Sequence, residues 1–130
     1  MKENNIFEDE GFISHNNYKL KSLTEDKVEL TVELTKKGFN PYNIAHGGLI
    51  FGLADTAIGI LVSYNKLPAI TLSSNINFIR PGIGKYLKAT AEMIKRGKKI
   101  CFCKATVYND KEEIIAVVEA NYYVEDRKKD

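Results

Sequence analysis

The sequence predicts an α+β fold in which an antiparallel β-sheet of about six strands wraps around one long central helix. The chain has 130 residues, 44% of them hydrophobic, which is enough to bury the core of one domain. Two strand-like segments come first, one long apolar helical segment follows, and four strand-like segments joined by short turns come last. We therefore take residues 1–130 as a single domain.

The segment before the helix contains two predicted strands and a loop. Lys27–Leu34 alternates apolar with charged or polar residues, which is the period of a half-exposed antiparallel strand. A shorter strand around Tyr18–Ser22 is expected to pair with it across the polar turn Leu23–Asp26. The first 15 residues are expected to be a lead-in with at most a helical turn. Residues 36–45 are rich in helix breakers and predict a loop.

A long helix is predicted from His46 to about Tyr64. It is apolar nearly all round, which is typical of a helix covered on every side. Small residues recur on it at helical spacing, and we interpret them as a stripe where another backbone approaches closely. The stripe consists of Gly48, Gly52, Thr56 and Gly59. The apolar run is short for a bilayer crossing and contains a carboxylate, so no membrane span is predicted.

The second half of the chain predicts four strands in a meander. They cover Ile70–Phe78, Leu87–Met93, Ile100–Tyr108 and Ile114–Val124. The first strand has one apolar face, formed by Ile70, Leu72, Ile76 and Phe78. A meander that curls around a buried helix is the hotdog fold. The sheet can cover only part of so apolar a helix, and we expect a homodimer to bury the remainder.

Composition argues against several classes of partner and site. The 19 Lys and Arg residues nearly balance the 17 Asp and Glu residues, so no overall field favours nucleic acid. The polar N-terminus lacks an export signal, which predicts a cytoplasmic location. Cys101 and Cys103 lie on one face of a strand and are expected to be buried, inert thiols. With only two histidines besides, we predict no metal site, and no motif for a serine triad, phosphate loop or dinucleotide cofactor is present.

Asp55 is the candidate catalytic carboxylate. It is the only charged residue between His46 and Lys66. A buried, unpaired carboxylate is costly, so it must be hydrogen-bonded, protonated or directed into a cleft. The alternative is a structural aspartate that bonds nearby backbone or a partner across an interface.

The start of the helix is a candidate oxyanion hole. Gly47 and Gly48 are expected at its first positions, where backbone N–H groups lack intrahelical partners and the helix dipole is positive. A carbonyl oxygen could approach there, although two glycines also simply permit a tight entry. The Asn40 amide could join them, or Asn40 could only form the turn. Thr71 could hold a water against Asp55, or face solvent as an ordinary strand threonine.

The segment Asn40–Ala57, NPYNIAHGGLIFGLADTA, closely resembles the signature of hotdog-fold thioesterases of the phenylacetate-degradation (PaaI) type, in the 4-hydroxybenzoyl-CoA thioesterase superfamily. Thr71–Glu92, TLSSNINFIRPGIGKYLKATAE, is similar to the strand, Arg-Pro turn and strand that follow in that family. Asn43 differs from the glycine that the family often has, and asparagine tolerates the positive φ of such a turn.

The resemblance implies an acyl-CoA thioesterase without a cofactor. Asp55 would activate water or attack directly, while the Gly47 amide and the Asn40 side chain polarise the thioester carbonyl. His46 would shape the pocket and Thr71 would position the water. The site would lie between the subunits of a homodimer, and the family is often a homotetramer.

Further residues are candidates for substrate binding. The acyl pocket is expected to include Phe51, Tyr64 and Phe78, and Gly48 to line the carbonyl site. Basic residues around strand ends could meet the CoA phosphates or simply be solvated. They are Arg80, Lys85, Arg96, Lys98 and Lys99.

Two other functions fit the same scaffold. One is a non-catalytic acyl-CoA sensor, which usually carries an additional DNA-binding segment that this chain has no room for. The other is a hotdog hydratase or dehydratase, which needs an acid–base residue placed to remove a proton from carbon. The spacing from HGG to Asp55 resembles the hydrolytic pattern instead.

Overall fold

A computed structural model describes residues 11–125, which form two helices and a six-stranded sheet. The elements are α1 (Phe12–His15), β1 (Lys19–Leu23), β2 (Lys27–Glu33), α2 (Gly47–Val62), β3 (Ala69–Phe78), β4 (Tyr86–Arg96), β5 (Ile100–Asn109) and β6 (Ile114–Val124). Short 3-10 turns cover Lys36–Gly38 and Ser63–Asn65. The predicted element order and the helical turn near the N-terminus are confirmed. The rest of the predicted lead-in, residues 1–10, and the charged tail, residues 126–130, lie outside the described residues.

All neighbouring strands are antiparallel, in the order β1-β2-β4-β5-β6-β3. The sheet curls around α2, which contacts every strand from β2 to β6, so the hotdog fold is confirmed. The predicted four-strand meander is only partly right. Strands β4, β5 and β6 form one, but β3 pairs with β6 rather than with β4. After α2, the chain enters the sheet at β3, the edge strand opposite β1. Residues 79–85 then connect β3 to β4, which lies in the interior of the sheet.

The core lies between α2 and the concave face of the sheet. Ten of the sixteen residues of α2 are buried, including Leu53, Ile58 and Leu61. The facing strands present mainly small or branched side chains, which lets the helix lie close to the sheet. The helical stretch 47–65 is long and apolar enough for a membrane span by composition, but 56% of it is buried within the fold, as in a core helix.

One strip of α2 stays uncovered in the single chain, as expected from a sheet that covers only part of the helix. The strip contains Phe51, Asp55, Thr56 and Gly59, none of which is fully buried. The sheet covers one side of the helix only. The strip is therefore where α2 can meet a ligand or a second copy.

Side chains, rather than the predicted second backbone, approach the glycines of α2. The Tyr18 hydroxyl donates to the Leu49 carbonyl at 3.0 Å and occupies the space that a Cβ on Gly52 would need. A Cβ on Gly59 would lie 3.5 Å from the Tyr122 hydroxyl. Glycine at position 52 is thus required by the buried Tyr18, whereas a Cβ at position 59 would be in ordinary van der Waals contact with Tyr122.

Gly52→Ala is expected to destabilise the protein by about 1–3 kcal/mol, because the added methyl displaces the Tyr18 hydroxyl from its buried acceptor. Urea unfolding measures this change. In a Tyr18→Phe background the same substitution should cost less, since the displaced hydroxyl is gone. Equal costs in both backgrounds would show that Tyr18 is not the residue that requires glycine.

A β-bulge in β3 corrects the predicted apolar face. Thr71 pairs with Tyr122, and Ser73 pairs with Asn121, the adjacent residue of β6. Leu72 lies between them without a partner and is therefore an extra residue in β3. An extra residue reverses the alternation that follows it. Thr71 and Phe78 therefore share the inner face, while Ile70 lies on the outer face with 64% of its surface exposed.

The two cysteines are buried on the inner face and unpaired, as predicted. Burial, with a smaller contribution from neighbouring Cys101, raises the pKa of the Cys103 thiol to about 12. The thiol therefore stays protonated at neutral pH, which makes it a poor nucleophile.

Candidate active site

Asp55 projects from the middle of α2 into the uncovered strip, where it is partly exposed. Its Oδ1 accepts hydrogen bonds from Thr71 Oγ1 at 3.0 Å and from the Tyr122 hydroxyl at 2.6 Å. Its Oδ2 has no donor among residues 11–125. Hydrogen bonds therefore hold one oxygen of the carboxylate and leave the other oxygen open. These bonds offset the cost of placing a carboxylate on an apolar helix.

Thr71 faces the helix and not solvent. The bulge at Leu72 and the pairing of Thr71 with Tyr122 put both hydroxyls on the inner face, against Asp55. Thr71 was expected to hold a water against Asp55, and the structure shows that its hydroxyl donates directly to the carboxylate. The alternative, a solvent-facing strand threonine, is wrong.

Tyr122 is a site residue that no sequence motif indicates. Its ring is buried, and its hydroxyl also lies 2.7 Å from the Asp55 carbonyl oxygen. Burial, followed by the hydrogen bond to Asp55, raises the pKa of this hydroxyl far above its ordinary value, so it remains a donor. Strand alternation predicts an inward Tyr122, but nothing in the sequence pairs β6 with β3.

His46 caps the N-terminus of α2. Its Nδ1 accepts the Gly48 N–H at 2.8 Å, so the ring proton lies on Nε2. Because the Gly48 N–H donates to His46, it is not free to polarise a substrate carbonyl, contrary to the prediction for Gly48. A Cβ on Gly48 would also lie 3.1 Å from the ring, so the capping histidine favours glycine there.

The N–H of Gly47 is available. It has no acceptor in the part of the chain that the structure describes, and it lies at the positive end of α2. A Cβ at this position would lie 3.3 Å from the Phe78 ring. Gly47 therefore presents a free donor beside an aromatic side chain.

Asn40 organises the loop that leads to this donor. Its Oδ1 accepts from the backbone N–H groups of Tyr42 and Ile44 at 2.9 and 3.3 Å. Its Nδ2 has no acceptor among the described residues, so one side chain can form the turn and still donate to a ligand. Asn43 adopts φ 66°, a conformation that glycine and asparagine tolerate, and the loop is intact.

Asp55 and the pair of donors form two separate half-sites in one chain. Gly47 and Asp55 are eight positions apart on α2, or roughly 12 Å along the helix axis. Gly47 lies beside Phe78 and Asp55 beside Thr71, and these two residues are seven positions apart on β3, roughly 23 Å. One chain therefore does not bring the carboxylate and the Gly47 donor to the same point.

The predicted substrate-binding residues are distributed around both half-sites. Phe51 lies in the strip with Asp55, and Phe78 is 52% exposed beside Gly47. Arg80 is exposed and donates Nη1 to the Ile114 carbonyl at 2.8 Å, which leaves its other donors for a ligand.

Arg96 is not available for a phosphate. Its guanidinium donates to the carbonyls of Leu61 and Val62 at the C-terminal end of α2 and to the carbonyl of Glu25. These bonds satisfy orphan carbonyls of the helix and place a cation at the negative end of its dipole. Its role is structural.

Comparisons of the sequence identify its family. A family model described as the thioesterase superfamily matches residues 42–116. The acyl-coenzyme A thioesterase PaaI of Escherichia coli K12 is 31% identical over 97 residues, which are 74% of this chain and 69% of that protein. The range matched by the family model, residues 42–116, contains Gly47, Asp55 and β3.

Solved structures share the fold. The PaaI protein from the phenylacetic acid degradation operon of Escherichia coli superimposes with a TM-score of 0.89 at 24% identity, over 95% of this chain and 91% of that one. The smu.793 protein of Streptococcus mutans UA159, solved bound to acetyl-CoA, gives a TM-score of 0.80 at 29% identity, over 85% and 90% of the two chains.

Proposed function

Because the chain belongs to the thioesterase superfamily, a family of hydrolases of thioester bonds, we propose that it hydrolyses an acyl-CoA to a free carboxylate and CoA, with Asp55 as the acting carboxylate. One observation carries the assignment of the site. Asp55 has one oxygen held by two hydroxyls and the other oxygen open in the uncovered strip of α2.

The open oxygen can activate a water. Thr71 gives its only hydroxyl hydrogen to Asp55 Oδ1, so its lone pairs remain free to accept a hydrogen bond. A water between Thr71 Oγ1 and Asp55 Oδ2 can donate both of its hydrogens and direct a lone pair at the thioester carbon. Asp55 takes one proton as general base. Direct attack by Oδ2 is the other route that this geometry allows.

The second half-site stabilises the developing charge. The Gly47 N–H and Asn40 Nδ2 donate to the carbonyl oxygen, which becomes negative as water adds to the carbon. The tetrahedral intermediate collapses with cleavage of the carbon–sulfur bond. The CoA thiolate leaves and takes the proton that Asp55 accepted, which restores the enzyme.

We propose that two copies complete each site by pairing through β3. This strand is an edge of the sheet, ten residues long, with exposed apolar side chains such as Ile70 and Leu72. A long apolar edge needs a partner. Antiparallel pairing about the middle of β3 places the Thr71 end of one copy beside the Phe78 end of the other. Asp55 of one copy then faces the Gly47 half-site of its partner.

The proposed complex has two sites, each built from both chains. Phe51 and Phe78 contribute to an acyl pocket, and Arg80 to binding of the CoA phosphates. A dimer of dimers and a cytoplasmic location stay predictions from the sequence.

The activity is tested by thiol release from acetyl-, hexanoyl-, lauroyl-, benzoyl- and phenylacetyl-CoA. We expect turnover of at least one of these substrates, with loss of that turnover in Asp55→Ala. Saturable binding without thiol release would favour the acyl-CoA sensor. Conversion of an enoyl-CoA without thiol release would favour the hydratase.

Mixing two inactive variants tests the shared site. Asp55→Ala copies and Gly47→Pro copies, unfolded and refolded together, should recover roughly a quarter of wild-type activity, because half of the random dimers are mixed and each mixed dimer has one intact site. Each variant refolded alone is the control. A mixture no more active than the mean of its two components would place the whole site within one chain.

A further inference from the structure

We propose that Tyr122 is a positioning residue, which holds Asp55 Oδ1 by a hydrogen bond so that Oδ2 is the oxygen presented to the attacking water. This inference rests on the proposed function of Asp55. It adds a residue from β6 that none of the sequence motifs contains.

The short contact identifies the acceptor of the Tyr122 hydroxyl. Its oxygen lies 2.6 Å from Asp55 Oδ1 and 2.7 Å from the Asp55 carbonyl oxygen. A phenol has one hydrogen to give. The carbonyl oxygen already accepts the N–H of Gly59 within the helix. The carboxylate is the stronger acceptor, and 2.6 Å is typical of an O–H···O⁻ bond.

Tyr122 is itself held rigidly. It lies on β6, between β5 and β3, with 3% of its surface exposed. Its hydroxyl reaches α2 beside Gly59. The Tyr122 hydroxyl can therefore change position only if the sheet itself moves.

A carboxylate without such a contact rotates broadly about χ2 and presents either oxygen. Thr71 alone fixes Oδ1 with one bond of 3.0 Å from the edge strand β3, whereas Tyr122 adds a shorter bond from the interior of the sheet. Together they leave Oδ2 without a donor among residues 11–125.

Tyr18 provides a matched control. It is also a buried tyrosine whose hydroxyl reaches α2 beside a glycine of the helix, but it donates to a backbone carbonyl, that of Leu49, at 3.0 Å. It does not contact Asp55. Tyr122→Phe and Tyr18→Phe each remove one buried hydroxyl and keep the ring that fills the core, so we expect both to fold.

We expect Tyr122→Phe to lower kcat on the order of 10- to 100-fold, because the reacting carboxylate loses a residue that orients it. Losses of this size follow when residues that orient the ligands of a catalytic metal are replaced. KM for the acyl-CoA should stay within about twofold, since no substrate contact is removed. Tyr18→Phe should lower the melting temperature comparably and keep the wild-type kcat and KM.

Asp55→Ala is measured beside these variants. Loss of turnover in Asp55→Ala, together with equal kcat values in the two tyrosine variants, would overturn the role of Tyr122 and leave the proposed function standing. Full turnover in Asp55→Ala would instead overturn the proposed function itself.

Discussion

Replacing Asp55 with alanine is expected to lower kcat by about 100- to 10,000-fold, the range that general acid–base catalysis contributes. The fold should tolerate the change. The Tyr122 hydroxyl keeps the backbone carbonyl oxygen of position 55 as an acceptor at 2.7 Å, and the Thr71 hydroxyl can turn to solvent in the partly exposed strip. Removal of a charge from an apolar helix also relieves a desolvation cost.

Thiol release and thermal unfolding, measured on the same preparation, test this prediction. Asp55→Asn is the matched control for shape, since it fills the same space and still accepts a hydrogen bond at one atom. We expect it to be nearly as inactive as Asp55→Ala, because a neutral amide takes no proton from water. If either variant, properly folded, kept the wild-type kcat, Asp55 would not be the acting carboxylate.

The sequence was sufficient to predict the helix, its carboxylate and the donor loop, because each of these features is local. Gly47 and Asp55 lie on one helix, and Asn40 lies in the loop before it. The sequence could not predict Tyr122, which lies 67 residues from Asp55 and meets it only because β3 pairs with β6. The meander we predicted would have placed β3 next to β4 instead.

The sequence could not predict the bulge at Leu72 either. Alternation in the sequence continues through positions 70 to 78, so the apolar pattern indicates a regular strand. The extra residue is visible only in the pairing with β6, and it is what directs Thr71 at Asp55. Small irregularities of this kind depend on a partner strand, and a single-sequence pattern does not contain that partner.

Gly47→Pro is expected to lower kcat by about 100- to 1,000-fold, because it deletes one donor to the carbonyl oxygen. Proline suits the position in every other respect. Gly47 is the first residue of α2, where proline is favoured and where its N–H has no acceptor within residues 11–125. The preceding His46 has φ −65° and ψ 141°, an extended conformation that proline requires of its neighbour.

Gly47→Ala separates the lost donor from the added bulk. Both substitutions place a Cβ about 3.3 Å from the Phe78 ring, which is half exposed and can move by the few tenths of an ångström needed. Only proline removes the N–H. We expect Gly47→Ala to retain kcat within a few-fold, and Gly47→Pro to be as stable as wild type or more so, since proline restricts the unfolded chain. Equal losses in both variants would assign the effect to Phe78, and full activity in Gly47→Pro would remove this amide from the oxyanion site.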